Sequence, residues 1–64
     1  MNAEIISVGT ELLMGQIVNS DAAFIAKQLT GLGIDSYFQT VVGDNPGKIK
    51  EVIKIAESRS DLLI

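Results

Sequence analysis

The sequence predicts an α/β domain of order βαβαβ, three parallel strands between helices in a three-layer αβα arrangement. Two observations carry this. Short runs of strand character (3–8, 34–42 and from 61), the first rich in β-branched residues, alternate with two stretches whose apolar residues recur at helical spacing. The first run is apolar on both faces at Ile5, Ile6 and Val8, as expected of a central strand covered from both sides. With right-handed crossovers and one helix on each face, the strand order is 2-1-3.

Each element has its own local signals. The first strand spans residues 3–8 and stops at Gly9. Residues 9–18 form a loop punctuated by Gly9 and Gly15. Its Leu12, Leu13, Met14, Ile17 and Val18 must pack on something: a short helical turn lies on the sheet edge, or the loop makes a subunit contact. The first helix spans 20–32, with Asn19 or Ser20 as cap and Asp21 at the positive end of the dipole. Ala22, Ile25, Ala26, Leu29 and Leu32 form its buried face, and Phe24 lies opposite. Gly33 suits a left-handed turn after it.

The second strand spans 34–42. Ile34, Phe38 and Val42 share one face, with Tyr37 and Val41 on the other. It ends in Gly43-Asp44-Asn45-Pro46, where Asn45 caps the next helix and Pro46 takes the first position. That helix runs to about Ser58, burying Ile49, Val52, Ile53 and Ala56 and wetting Lys48, Lys50, Glu51, Lys54 and Glu57. The third strand begins at Asp61. The run Asp61-Leu62-Leu63-Ile64 has no turn signal after it, which reads as part of a longer protein. An open strand edge is a template for pairing. The edge and the apolar loop are therefore expected to be covered by further sequence or by another copy, giving a homo-oligomer.

Composition narrows the chemistry. The chain has 64 residues, no cysteine and no histidine, and a net charge of −3. A thiolate metal site, a disulfide and a histidine base are excluded within it. The charge gives no broad footprint for nucleic acid. No apolar run approaches the ~18 residues of a membrane span, and no basic n-region opens the chain. A cytoplasmic protein acting on a small molecule is the expectation, with neither nucleic acid nor membrane as partner.

Open α/β sheets bind ligands beyond the carboxyl ends of their strands, where strand order reverses. Here that crevice lies between strands one and three, and the Gly9-Thr10-Glu11 turn is expected to border it. The turn is neither a G-x-G-x-x-G fingerprint nor a P-loop. Gly9 permits close backbone approach, Thr10 offers a hydroxyl, Glu11 a carboxylate, and Asn19 an amide in competition with capping. Asp44 offers a second carboxylate, beside Gly43. Two carboxylates plus ligand phosphates are a usual way to hold Mg²⁺. Glu11 and Asp44 are thus the candidate catalytic and metal-ligating pair, with solvated turn residues as the competing reading.

The stretch from Gly9 to Ser20, Gly-Thr-Glu-Leu-Leu-Met-Gly-Gln-Ile-Val-Asn-Ser, resembles the opening loop of the competence/damage-inducible CinA family. Tyr37-Phe38-Gln39-Thr40-Val41-Val42-Gly43-Asp44-Asn45 resembles a second stretch of it. Met14 stands where that family commonly has leucine, and Ser20 where it commonly has threonine. The resemblance implies a molybdopterin-binding-like fold of which this is the N-terminal part. It implies metal-dependent hydrolysis of ADP-ribose to AMP and ribose 5-phosphate. Many members carry a separate C-terminal domain that deamidates nicotinamide mononucleotide, so both activities belong to pyridine-nucleotide salvage. The family's motifs fall on Gly9, Thr10, Glu11, Asn19, Gly43 and Asp44, of which Gly9, Thr10, Asn19 and Gly43 are the candidates for cofactor or ligand contact. A further glycine-rich motif with a following aspartate is expected shortly after Ile64. A pterin- or nucleotide-binding module without turnover, and an assembly segment without activity, remain the alternatives.

Overall fold

The computed structural model describes residues 1–64. Its elements are β1 (Asn2–Val8), α1 (Thr10–Leu13), α2 (Ser20–Gly31), β2 (Asp35–Val42), α3 (Pro46–Glu57) and β3 (Leu62–Leu63). The strands form one parallel sheet in the order β2-β1-β3, with β1 central as expected.

The ends of the elements follow local chemistry. Asn19 caps α2 by accepting the Ala22 N–H at 3.3 Å, and Asn45 caps α3 by accepting the Lys48 N–H at 3.1 Å. These bonds satisfy donors that a helix leaves orphaned. Pro46 sits at the first position of α3, where a missing N–H is harmless. Gly33 has φ of 74°, the left-handed conformation that ends α2. The loop after Gly9 opens with the one-turn α1, the helical turn that its apolar spacing allowed.

The two faces of β1 bury different things. Ala3 and Ile5 pack with Ala22 and Leu29 of α2, with Ile25, Ala26 and Ile34 beside them. On the α3 face, Ile6, Val8, Ile49, Ile53, Leu63 and Ile64 line a shared apolar hollow. Ala56, fully buried, anchors α3. Leu29 and Ala22 thus bear out the α2 stripe. Leu32 does not belong to it: it is 74% exposed, because α2 ends at Gly31 and Leu32 already follows the cap geometry. Ile53 is 37% exposed, at the margin of its face rather than under it.

One expectation about β2 fails for a structural reason. Ile34 and Phe38 do not share a face. Ile34 packs under α2, whereas Phe38 lies beneath the Arg59 guanidinium, 3.7 Å from ring centroid to Cζ, after the end of α3. The register explains it. Asn2 pairs with Asp35 but Glu4 pairs with Phe38, so β2 holds one more residue than β1 over this span. Side chains alternate with a period of two, and one extra residue moves the rest of the strand to the opposite face.

Glu4 is the feature the strand pattern hides. It points to the α3 side and is fully buried. Arg59 grips it with two hydrogen bonds, Nε to Oε1 at 3.1 Å and Nη2 to Oε2 at 2.7 Å, and Ser60 Oγ donates to Oε1 at 2.7 Å. A buried charge must be paired and hydrogen-bonded, and this fork-on-fork geometry meets that need. The hydrogen bonds from Arg59 hold the Glu4 carboxyl below its ordinary value of 4.5, against the opposing effect of burial and with help from Ser60. The clamp ties the start of β1 to the connection between α3 and β3. Asp61 closes the same end: its Oδ2 accepts the Asn2 N–H at 3.0 Å.

Candidate functional site at the strand ends

The carboxyl ends of β1 and β2 converge on one small polar cluster. The Gly9 N–H donates to Val42 O at 2.9 Å, which carries the β1–β2 ladder past the last strand residue. Thr10 follows at the start of α1, and its Oγ1 accepts the Asp44 N–H at 3.4 Å. That bond links the two loops and leaves the Thr10 O–H free to donate outward. Leu13 lies against Gly43: a Cβ built there would stand 3.4 Å from Leu13 Cδ2 and 3.9 Å from Thr10 Oγ1. The structure therefore brings Gly9, Thr10, Glu11, Gly43 and Asp44 to one end of the sheet.

Gly9 is buried, and its φ of 166° is extended backbone that any residue adopts. Glycine leaves room there for the Glu11 side chain. A Cβ would meet Glu11 Oε1 at 3.1 Å and Leu12 Cδ1 at 3.4 Å, so the Glu11 side chain folds back over its own turn. Glu11 and Asp44 are both exposed, and neither makes an ion pair within the chain.

The turn leans the other way from the sequence expectation. Instead of facing the β1–β3 crevice, Thr10 and Leu13 lie over the end of β2, and α1 packs on that strand. The Gly9–Val42 and Thr10–Asp44 bonds set this tilt. Leu12 alone of α1 turns toward the crevice, which Asn19 also lines. Asn19 stands apart from the cluster, on the α2 face, with its amide oxygen committed to the helix cap and its nitrogen donating to Ser7 Oγ at 2.9 Å.

The donor set suits a hard cation. Two carboxylates and a hydroxyl are oxygen ligands, and Mg²⁺ typically takes one or two carboxylates and completes its shell with water and phosphate oxygens. No group of three or more acidic, histidine or cysteine side chains forms a cage. The residues present thus make no dedicated metal cage; their oxygen donors are of the kind that a hard cation shared with a phosphate ligand would use. Replacing Gly9 by alanine is expected to displace the Glu11 carboxylate while leaving the fold intact, because the far end of a flexible side chain can move. In the full-length protein the Mg²⁺ concentration for half-maximal activity should rise about tenfold, the scale of disturbing support around a metal ligand. An unchanged Mg²⁺ titration in Gly9→Ala would count against Glu11 as a metal ligand.

A parallel α/β sheet with oxygen donors gathered at its strand ends defines a ligand-binding domain of the open-sheet class. Within that class the family is shown directly: residues 4–64 match the model described as "Probable molybdopterin binding domain", and the chain belongs to that family. It is 67% identical over 64 residues to a "Putative competence-damage inducible protein" of Lacticaseibacillus casei, covering all of this chain and 16% of that protein. It is 66% identical over 64 residues to a "CinA-like protein" of Trichodesmium erythraeum, covering 15% of that protein. The crystal structure of the protein CinA from Thermoplasma acidophilum superposes with a TM-score of 0.93 at 40% identity, over 97% of this chain and 37% of that one. The chain thus spans about one sixth of the length of the curated relatives it matches. The resemblance to the CinA family and the molybdopterin-binding-like fold are both borne out.

Sequence reasoning missed Glu4, Arg59 and Ser7. A signal for the first pair was present: a carboxylate inside a strand read as covered on both faces, and a single arginine in the chain. No local signal marks Ser7.

Proposed function

We propose that this segment supplies the strand-end half of a Mg²⁺-dependent site that hydrolyses the pyrophosphate of ADP-ribose in a cytoplasmic, CinA-type salvage protein. The observation that carries the reading is the convergence of Gly9, Thr10, Glu11, Gly43 and Asp44 on one sheet end through the Thr10–Asp44 bond. These are the positions that carry the CinA resemblance. A divalent metal bound there supplies positive charge to the pyrophosphate and lowers the pKa of a bound water. Glu11 and Asp44 would hold that charge, while Gly9 and Gly43 make room for the side chains of Glu11 and Leu13. The free Thr10 O–H is placed to donate to a phosphate oxygen. In the reaction, water oxygen forms a bond to one phosphorus, the bridging P–O bond breaks, and the products are AMP and ribose 5-phosphate. The test is ADP-ribose hydrolysis by the full-length protein as Mg²⁺ is titrated. Hydrolysis that is absent, or indifferent to chelation of divalent metal, would sink the reading.

The family description favours a second reading, a pterin-binding module without turnover. It predicts saturable binding of a pterin and no release of AMP from ADP-ribose.

Assembly belongs to the same proposal. The outer edge of β3 has no strand partner, and Leu13, Met14, Ile17 and Val18 are 54–87% exposed. Exposed apolar side chains and an open strand edge each favour association. Size-exclusion chromatography of the 64-residue chain is expected to show a species at least twice its 6.8 kDa mass. A stable monomer would count against a homo-oligomer formed through this edge and loop.

A further inference from the structure

The amide of Asn19 is held at both ends. Ala22 can only donate its N–H, so the amide oxygen faces it at 3.3 Å and the nitrogen must face Ser7 Oγ, at 2.9 Å. Ser7 Oγ is then an acceptor, and its own O–H is free. No group in the chain receives it. A hydroxyl whose lone pair is already engaged has its proton directed elsewhere.

Ser7 is half-buried and lines a crevice of about 240 Å³ beside β1, on the side away from the Thr10–Asp44 link. Leu12, Ala22 and Ile25 supply apolar walls, and Asn19 and Asp21 are the other polar groups. No lysine or arginine lines it, and Asp21 is a carboxylate, so the surroundings disfavour a phosphate. Apolar walls with a few placed polar groups are what a small neutral ligand needs. The volume suits a single heterocycle rather than a whole dinucleotide.

We propose that this crevice is a subsite for the neutral heterocyclic end of the ligand, with the Ser7 hydroxyl donating to an acceptor atom of the ring. Asn19 is the positioning residue that turns Ser7 into a donor. The subsite rests on the reading that the strand ends bind a nucleotide or a pterin, whose rings share this chemistry. The ligand then straddles β1, its charged part toward Thr10, Glu11 and Asp44 and its ring beside Ser7.

The decisive variant is Asn19→Asp in the full-length protein. An aspartate still accepts the Ala22 N–H, and it caps a helix as well as asparagine does. Its second oxygen, however, accepts the Ser7 O–H and withdraws that proton from the ligand. Two probes without phosphate, adenosine and neopterin, are titrated while backbone amide resonances are followed by NMR. One or both should shift Ser7, Ala22 and Ile25, and Asn19→Asp should weaken that binding about tenfold, the scale of one hydrogen bond. Thermal stability of the variant should hold or rise, because a negative charge suits the start of α2. Opposite movements of affinity and stability separate aiming from mere support. Ser7→Ala should lose affinity to the same degree. Equal binding by wild type and Asn19→Asp, shifts confined to Thr10 and Asp44, or no shifts with either probe would each overturn the subsite. Ring binding at Ser7 in a protein that hydrolyses no ADP-ribose would support the subsite and sink the pyrophosphatase alone. Hydrolysis with no ring at Ser7 would do the reverse.

Discussion

Glu11→Gln and Asp44→Asn are expected to lower ADP-ribose hydrolysis by the full-length protein about 10²-fold or more. Each change keeps the shape of the side chain and removes the negative charge that attracts a metal. Loss of one electrostatic group at a reacting centre is of this scale. If the interaction is made mainly in the transition state, kcat and kcat/KM fall together. Both residues are exposed and unpaired in the chain, so stability should change by no more than about 0.5 kcal/mol. Asp44→Asn also leaves the backbone bond to Thr10 Oγ1 in place, since that bond uses the Asp44 N–H. Nicotinamide mononucleotide deamidation, where a C-terminal domain performs it, should survive both changes. The measurement is a Mg²⁺ titration of hydrolysis in wild type and each variant. Wild-type rates with wild-type metal dependence in both would make these carboxylates ordinary turn residues.

The largest effect on folding is expected at the Glu4–Arg59 clamp. Arg59→Ala leaves a fully buried carboxylate with Ser60 Oγ as its one remaining side-chain donor. Breaking a buried pair from one side is strongly destabilising, because the remaining charge is uncompensated. The unfolding midpoint should fall by about 10 °C or more. Glu4→Gln should cost less: the amide is neutral, and Arg59, whose side chain is 35% exposed, can turn to water.

The pH dependence separates the two states of Glu4. In the wild type its folded carboxyl titrates below 4.5. The clamp's contribution is therefore complete above that value and is lost as pH falls through the depressed folded value. In Arg59→Ala the chief cause of the depression is gone and burial pushes the carboxyl up. The folded state then prefers the protonated form, so the deficit should be greatest near neutral pH and shrink on acidification. Thermal unfolding by circular dichroism from about pH 7 to about pH 3 reads both slopes. A constant gap between wild type and variant across that range would show that Arg59 stabilises by packing on Phe38 and not through Glu4.

Much of this fold was legible locally. Asn19 and the Asn45–Pro46 pair marked helix starts, Gly33 marked an end, and the two-sided apolar run of β1 marked a central strand. Caps, glycine turns and helical spacing are decided by residues a few positions apart, and a chain displays those relations directly. Five of the six site candidates also proved to be neighbours, since each follows a strand of one parallel sheet and so lies at its carboxyl end.

Other features rest on relations that spacing does not carry. Arg59 reaches Glu4 across 55 residues, and only the crossover of α3 makes them neighbours. The extra residue in β2 sends Ile34 and Phe38 to opposite faces, because register is settled by packing between strands and not by either strand alone. The tilt of the Gly9 turn onto β2 depends on Val42 O and the Asp44 N–H, and the free proton of Ser7 depends on which way a distant helix cap holds an amide. By itself the sequence determined the elements, their order and the end of the sheet that carries the oxygen donors. Tertiary structure alone decided which buried charge is paired, which face each β2 residue takes and where the donors point, because hydrogen-bond partners and faces are fixed only once the strands are in register.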